Sequence, residues 1–245
     1  LKRYIRDYFE DNKGEEIFIS NKAKEAKERN KQIQEIGKGH LDLIDVRLFG
    51  AVTAEEDKGG HFTGPVQFNW GYSLHPVEMV DSSTITSSFS GGQGIGKDYR
   101  LYYSLIAFSG SINANTAKET NLSEADLQLL DEAMLNSIPL ARTRTKIGQY
   151  PRLYLRIELK GKDKFLKDLR SMIEVTSKDL KIAQNLRLIR KPEDYELNIK
   201  SLIEYLEQNK DLISGIYYWK DEQISIPEFD KIFIQENWKK PLSLK

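Results

Sequence analysis

The sequence contains no cysteine. Disulfides, thiolate nucleophiles and cysteine-ligated zinc are therefore excluded, and a cytoplasmic location is the default expectation. No apolar run approaches the roughly 18 residues that a membrane-spanning helix requires, so no membrane contact is expected. Only three histidines occur, His40, His61 and His75, and none has the spacing of a metal-ligating pair. Net charge is zero, with 37 basic and 37 acidic residues. That balance argues against a protein that coats nucleic acid by bulk charge. Nothing calls for a cofactor either. Gly91, Gly96 and Lys97 approximate a phosphate loop, but Asp98 stands where a Ser/Thr hydroxyl is needed and a strand pattern follows where a helix should begin.

What is present is uneven charge and strong local patterning. Residues 139–170 carry ten Lys/Arg against three Asp/Glu, whereas residues 191–245 carry eight against eleven. One basic segment in a neutral chain points to a localised anionic partner. Within it, ARTRTKIGQYPR (141–152) alternates Arg142, Arg144 and Lys146 with Thr143 and Thr145, while Gly148 and Pro151 keep it out of a helix. An extended array of guanidinium forks and hydroxyls suits phosphate oxygens and reads no bases.

LKRYIRDYFED (1–11) reads as an amphipathic helix, with Leu1, Tyr4, Ile5, Tyr8 and Phe9 on one side and Lys2, Arg3 and Arg6 clustered on another. EEIFIS reads as a short strand, and a charged helix over 21–37 follows, capped by Ser20 or Asn21. Three longer strands are expected at Asp42–Thr53, at 66–75 and at Tyr99–Ser109. In the second, Val66, Phe68, Trp70, Tyr72 and Leu74 alternate with Gln67, Asn69, Gly71, Ser73 and His75, a half-buried pattern. The third is apolar on both faces and reads as a central strand. Between them MVDSSTITSSFSGGQGIGK (79–97) is a Ser/Thr/Gly-rich loop of a length that is usually functional. Glu124–Ser137 is the best-marked helix, with Ser123 at the N-cap, Asp126 at the capping-box position and Leu122/Leu127 as a hydrophobic staple. PRLYLRIELK reads as a strand, then helices over 163–174 and 198–209, strand IYYWK and an irregular tail.

This order approximates α-β-β-α-β. With one strand before Leu1, where the chain opens inside a helical pattern, it becomes the ferredoxin-like β-α-β-β-α-β. That fold hosts many functions, RNA binding among them.

Several segments together resemble one family. LKRYIRDY, DVRLFGAVTA, FTGPVQFNWGYSLHPV, DYRLYYSLIAFSGSIN and SIPLARTRTKIGQYPRLYL, in this order, are similar to the backbone subunit of CRISPR Cascade complexes, the Cas-seven family, in its type I-B branch. The likeness runs from Leu1 to about Lys160. It implies an α+β fold: a single domain over 1–245, with a modified RRM-like palm, an inserted thumb hairpin at about 77–98 and a C-terminal extension with additional helices from about 160. It implies a non-catalytic subunit that binds the CRISPR RNA spacer, stacks with further copies of itself and with other Cascade subunits, and presents the guide for pairing with a target DNA strand. By this resemblance Lys2, Arg3 and Arg6 are the helix-borne RNA contacts. Arg47, Thr63, Gly64, Gln67 and Asn69 lie on or beside the loop and strand nearest the guide. Arg142, Arg144 and Lys146 form the basic turn. Met79, Ile85, Phe89 and Lys97 belong to the thumb.

Two alternatives remain at this stage. One is a metal-dependent ribonuclease like the type III relatives, using Asp42, Asp45 or Asp57. The other is a ferredoxin-like protein that assembles without nucleic acid. The basic turn makes one prediction on its own. Replacing Arg142 and Arg144 together with alanine should weaken RNA binding equally across sequences and flatten its salt dependence. Unchanged affinity in a filter-binding titration removes the turn from the RNA surface.

Overall fold

The computed structural model describes residues 1–53, 61–80, 83–86, 95–141 and 147–243. Helix α1 (Lys2–Lys13) forms as its periodicity predicts and buries Ile5, Tyr8 and Phe9. Gly14 ends it in the left-handed region, with Glu15 N–H closing on the Phe9 carbonyl at 3.0 Å. Residues 15–20 have no strand partner among the described residues. Instead the amides of Phe18 and Ile19 donate to the buried Asp45 carboxylate, at 2.7 and 3.0 Å. The second helix is shorter than expected, α2 (Ala26–Glu35). Neither Ser20 nor Asn21 caps it, because the helix begins at Ala26 with Glu25 at its N-cap.

The stretch expected as one strand from Asp42 to Thr53 divides. A helix, α3 (Ile44–Phe49), comes first, and only β1 (Gly50–Val52) is extended. Leu43, Ile44, Val46, Leu48 and Phe49 are all buried, and a run that short and apolar fits a buried helix as well as a strand. Gly50 stops the helix at φ 72°. β1 then pairs antiparallel with β2 (His61–Thr63). A Cβ on Gly50 would overlap the Phe62 carbonyl, and one on Gly64 would overlap the Phe49 backbone. Two glycines thus let α3 and the turn after β2 touch main chain to main chain.

The described residues between 66 and 112 form one interrupted antiparallel arm. β3 (Val66–Phe68), β4 (Tyr72–Ser73) and β5 (Ser83–Thr86) run outward, and β6 (Ile95–Asp98), β7 (Ile106–Ala107) and β8 (Gly110–Ile112) return. The pairings nest: Phe68 with Gly110, Tyr72 with Ala107, Met79 with Leu101, Ser83 with Asp98. At the two interruptions between Phe68 and Met79 the outward strand carries one more residue than the returning one. Such bulges increase the right-handed twist of a ribbon.

The arm corrects two expectations. The alternation over 66–75 does not hold as one strand. Val66 is buried and Phe68 half-buried, but the break after Phe68 leaves Trp70 80% and Tyr72 53% exposed. The segment Tyr99–Ser109 is not a central strand. Tyr99, Leu101, Tyr102, Ile106 and Phe108 are exposed, and only Leu105 is buried, because a two-stranded arm offers no layer for its second face.

Helix α4 (Ala114–Glu119) is capped by the Asn113 carboxamide, and α5 (Glu124–Asn136) by the expected Ser123–Asp126 capping box. Leu122 and Leu127 pack against the α1–α3–α5 core, as the staple requires. Beyond it β9 (Leu153–Leu159) begins a second core. β10 (Glu174–Thr176) pairs with β11 (Glu196–Asn198), and two helices, α6 (Leu180–Gln184) and α7 (Lys200–Gln208), lie in this half. β9 is antiparallel to β12 (Ile213–Lys220), which is parallel to β13 (Lys239–Pro241). The helix expected over 163–174 reduces to a 3₁₀ turn at Leu169–Met172. The class is mixed α and β. Among the described residues the strands form sheets of two or three strands, with none of four.

Helix α5 ties these parts together through its acids. Asp126 receives both arms of the Arg47 fork from α3, at 2.9 and 2.6 Å, besides the Ser123 donors. Asp131 receives the Arg156 fork from β9 at 2.8 and 2.6 Å and the Tyr154 hydroxyl at 2.7 Å. Glu132 receives Tyr8 and Lys13 of α1, at 3.1 and 2.6 Å. The Asp131 side chain is 2% exposed, and removing one partner of a buried pair costs about 3–5 kcal/mol. Asp131→Ala should lower unfolding free energy by about that much in urea titration. Asp131→Leu with Arg156→Met should recover most of it.

Burial alone would raise the Asp126 carboxyl. The Arg47 fork and the Ser123 donors outweigh it and hold Asp126 below its ordinary value of 3.8. A carboxyl lowered by folding contributes stability above its unfolded value and loses it as pH falls through the folded one. Stability should therefore fall with decreasing pH below 3.8, and Asp126→Asn should show a shallower fall by circular dichroism. Equal slopes would remove Asp126 as a source of acid lability.

Candidate nucleic-acid interface

Lys2 and Arg6 are one helical turn apart on α1, where like charges ordinarily repel. Both lie against the same ring: the Lys2 ammonium is 5.2 Å and the Arg6 guanidinium 5.5 Å from the Phe49 centroid. The negative face of an aromatic ring favours each cation. Lys2 also donates to Gln67 Oε1 at 3.3 Å, and the Gln67 amide donates to the Gly64 carbonyl at 2.8 Å. Helix α1, the end of α3, the turn after β2 and strand β3 thus meet at one place. Of the residues expected to touch RNA, four are brought together: Lys2, Arg6, Gly64 and Gln67.

The electrostatics of this place are unbalanced. Burial, and then the Arg6 charge, push the Lys2 amine below its ordinary value. Burial lowers Arg6 as well, against the pull of Asp45 and Asp7. The Arg6 side chain is 14% exposed, and its Nε is 3.3 Å from Asp45 Oδ2 as an ion pair without a hydrogen bond. Two partly desolvated cations therefore stand together, and Asp45 is the close carboxylate of Arg6. A phosphate oxygen is the natural complement.

The other expected contacts stand elsewhere. Arg3 is exposed and pairs with Asp7 at 3.7 Å. Thr63 is exposed next to Gly64. Asn69 is exposed on the arm, with its Oδ1 accepting from Trp70 N–H at 2.9 Å. Arg47 is turned inward, with its fork on Asp126 and Nη1 on the Leu41 carbonyl at 3.1 Å. Met79 is exposed at its bridge with Leu101, and Ile85 and Lys97 are placed on β5 and β6. Phe89, Arg142, Arg144, Lys146 and Asp57 lie outside the described residues. Asp42 accepts the Gly39 amide at 2.7 Å.

Sequence reasoning missed Phe49 and Asp45 as the supports of the cation pair. It also missed an exposed aromatic row on the arm. The Arg170 guanidinium lies 4.6 Å over Tyr72 and donates to the Trp70 carbonyl at 3.1 Å, and Arg190 lies 4.5 Å over Tyr102. The only local signal is Gly71. A Cβ there would come within 2.5 Å of the Phe108 ring, which crosses the backbone between Trp70 and Tyr72. Among the described residues no three His, Asp or Glu side chains are grouped to hold a metal ion, and no helix is long and apolar enough to cross a membrane.

Comparison with known proteins bears on the whole chain. CRISPR-associated protein Cas7 of Haloferax volcanii is 28% identical over 280 residues, covering 97% of this chain and 80% of that protein. A chain of a CRISPR RNA-guided surveillance complex aligns with a TM-score of 0.46 at 14% identity, over 88% of this chain and 77% of the other. A chain of a second such complex, pre-nicking, aligns at 0.45 and 13%, over 89% of this chain and 60% of the other. The model of the family described as CRISPR-associated protein Cas7 matches residues 1–200, and the chain belongs to that family.

Proposed function

We propose that this protein is a non-catalytic backbone subunit of a type I CRISPR surveillance complex. It binds the CRISPR RNA spacer, stacks with further copies and with other Cascade subunits, and leaves the guide free to pair with target DNA. Family membership supports the class. The observation that carries the RNA-binding part is the Lys2–Arg6 pair on Phe49 beside Gln67, two partly buried cations short of negative charge. In this reading the α1–α3–α5 region with β3 and β8 is the RRM-like palm. The twisted arm beyond Tyr72 is the thumb, and the part from about 160 is the extension. Guide pairing supplies sequence specificity, while the protein holds backbone and shape.

A ribonuclease would need a free carboxylate near the guide. The two described candidates both serve backbone amides: Asp45 those of Phe18 and Ile19, Asp42 that of Gly39. That supports a role in holding RNA and not in cutting it, in the cytoplasm where a soluble ribonucleoprotein works.

The protein expressed with its guide should purify as a large particle carrying RNA of uniform length. Lys2→Ala should then weaken binding to unrelated RNA sequences by the same factor, because a phosphate contact carries no base information. RNA-free protein with no affinity for added RNA at low salt overturns the reading.

A further inference from the structure

Asp45 is 1% exposed, and three segments converge on it. Its Oδ1 accepts Phe18 N–H at 2.7 Å, and its Oδ2 accepts Ile19 N–H at 3.0 Å. Two backbone donors fix the carboxylate before any side chain approaches it. Arg6 then meets Oδ2 with its Nε edge at 3.3 Å. A guanidinium is a rigid planar fork, so holding its Nε edge and laying its plane by Phe49 sets where both terminal nitrogens stand. No hydrogen bond joins those nitrogens to a described residue. The Lys2 ammonium is near enough that the charges of Lys2 and Arg6 oppose each other. The remaining acid near Arg6, Asp7, is itself paired with Arg3.

We propose that Asp45 is a positioning residue for phosphodiester binding: as the ion-pair partner of Arg6 it places the guanidinium, together with Lys2, toward one phosphate of the bound RNA. This rests on the RNA-binding reading above and adds to it a negatively charged residue that RNA binding needs. The role has an unusual sign. A carboxylate beside an RNA phosphate repels it, so on charge alone Asp45→Asn should tighten binding. Positioning requires the reverse.

The test measures affinity of the full-length chain for an unstructured RNA across a salt series, for wild type, Asp45→Asn, Arg6→Lys and the double variant. Arg6→Lys keeps the charge and leaves both backbone bonds of Asp45 in place, so it carries the test should Asp45→Asn fail to fold. Each single variant should bind about tenfold more weakly, the loss of one charge-assisted hydrogen bond. Its log–log salt slope should be shallower by about 0.7, the increment of one single-strand phosphate contact. The double variant should be no weaker than either single one. Equal or tighter binding by Asp45→Asn, or unchanged binding by Arg6→Lys, overturns the role while leaving RNA binding intact. A wild-type chain without RNA affinity overturns both.

Discussion

The Asp131–Arg156 pair is the joint on which the arrangement of the chain depends. The apolar residues do not form one core. Ile5, Phe9, Ile44, Leu48, Val66 and Leu130 make one cluster, with a satellite around Ile33 and Val46. Leu202, Leu206, Ile216, Ile232 and Trp238 belong to another. Asp131 stands on α5 in the first half, and Arg156 stands on β9 in the second. Burial combined with the Asp131 charge keeps the Tyr154 hydroxyl protonated, so it remains a donor to that carboxylate. A hydrophobic contact between the halves could slide. A carboxylate receiving a planar fork and a phenol has one geometry, and away from it the same groups would be buried and unpaired at a cost of several kcal/mol.

Buried aspartates repeat this device because the sheets are small. A two-stranded ribbon is at best marginally stable alone, and among the described residues five of the six sheets have two strands. Something other than extended ladders must fix the segments. The base of the arm shows how. Buried His75 accepts the Leu105 amide at Nε2, 3.2 Å away, and turns Nδ1 to the Pro76 carbonyl at 2.8 Å. Tyr103 stacks on the histidine and shares a 3.2 Å hydrogen bond with Tyr195. Arg170 and Arg190, both from the C-terminal half, brace exposed tyrosines on either side of this point, Tyr72 and Tyr102. The C-terminal half therefore acts as a buttress for the arm.

The features legible in the sequence are the ones set by local chemistry. The α1 stripe, the Ser123–Asp126 box, the strand at β9 and the helix at α7 each need only neighbours within a few residues, and each appears where the pattern places it. The failures share another cause. Asp42–Thr53 is apolar enough to satisfy either period, and Gly50, which decides the outcome, acts by touching residue 64. Tyr99–Ser109 reads as central because an apolar run carries no information about how many strands flank it. In the site, Lys2 and Gln67 were legible one by one. Their meeting across 65 positions was not, and neither was the inward turn of Arg47 toward a partner 79 positions away.

The same distinction governs charge. Residues 139–170 carry a formal +7, yet a formal count overstates what the segment can offer an anion. Arg152 pairs with Asp221, Arg156 with Asp131, Lys164 with Asp163 and Arg170 with Asp168. Arg156, whose fork meets both Asp131 oxygens, has its strongest donors satisfied, and a new anion would have to displace them. Lys2 and Arg6 are in the opposite condition. They are fewer and partly removed from water, and the carboxylate paired with Arg6 is already bonded to two amides. Attraction for a phosphate follows the charge left uncompensated at a point, weighted by how little water screens it there. By that measure Lys2 and Arg6 weigh more than their number suggests beside the answered cations Arg152, Arg156, Lys164 and Arg170, and a chain of zero net charge can offer a polyanion a local site.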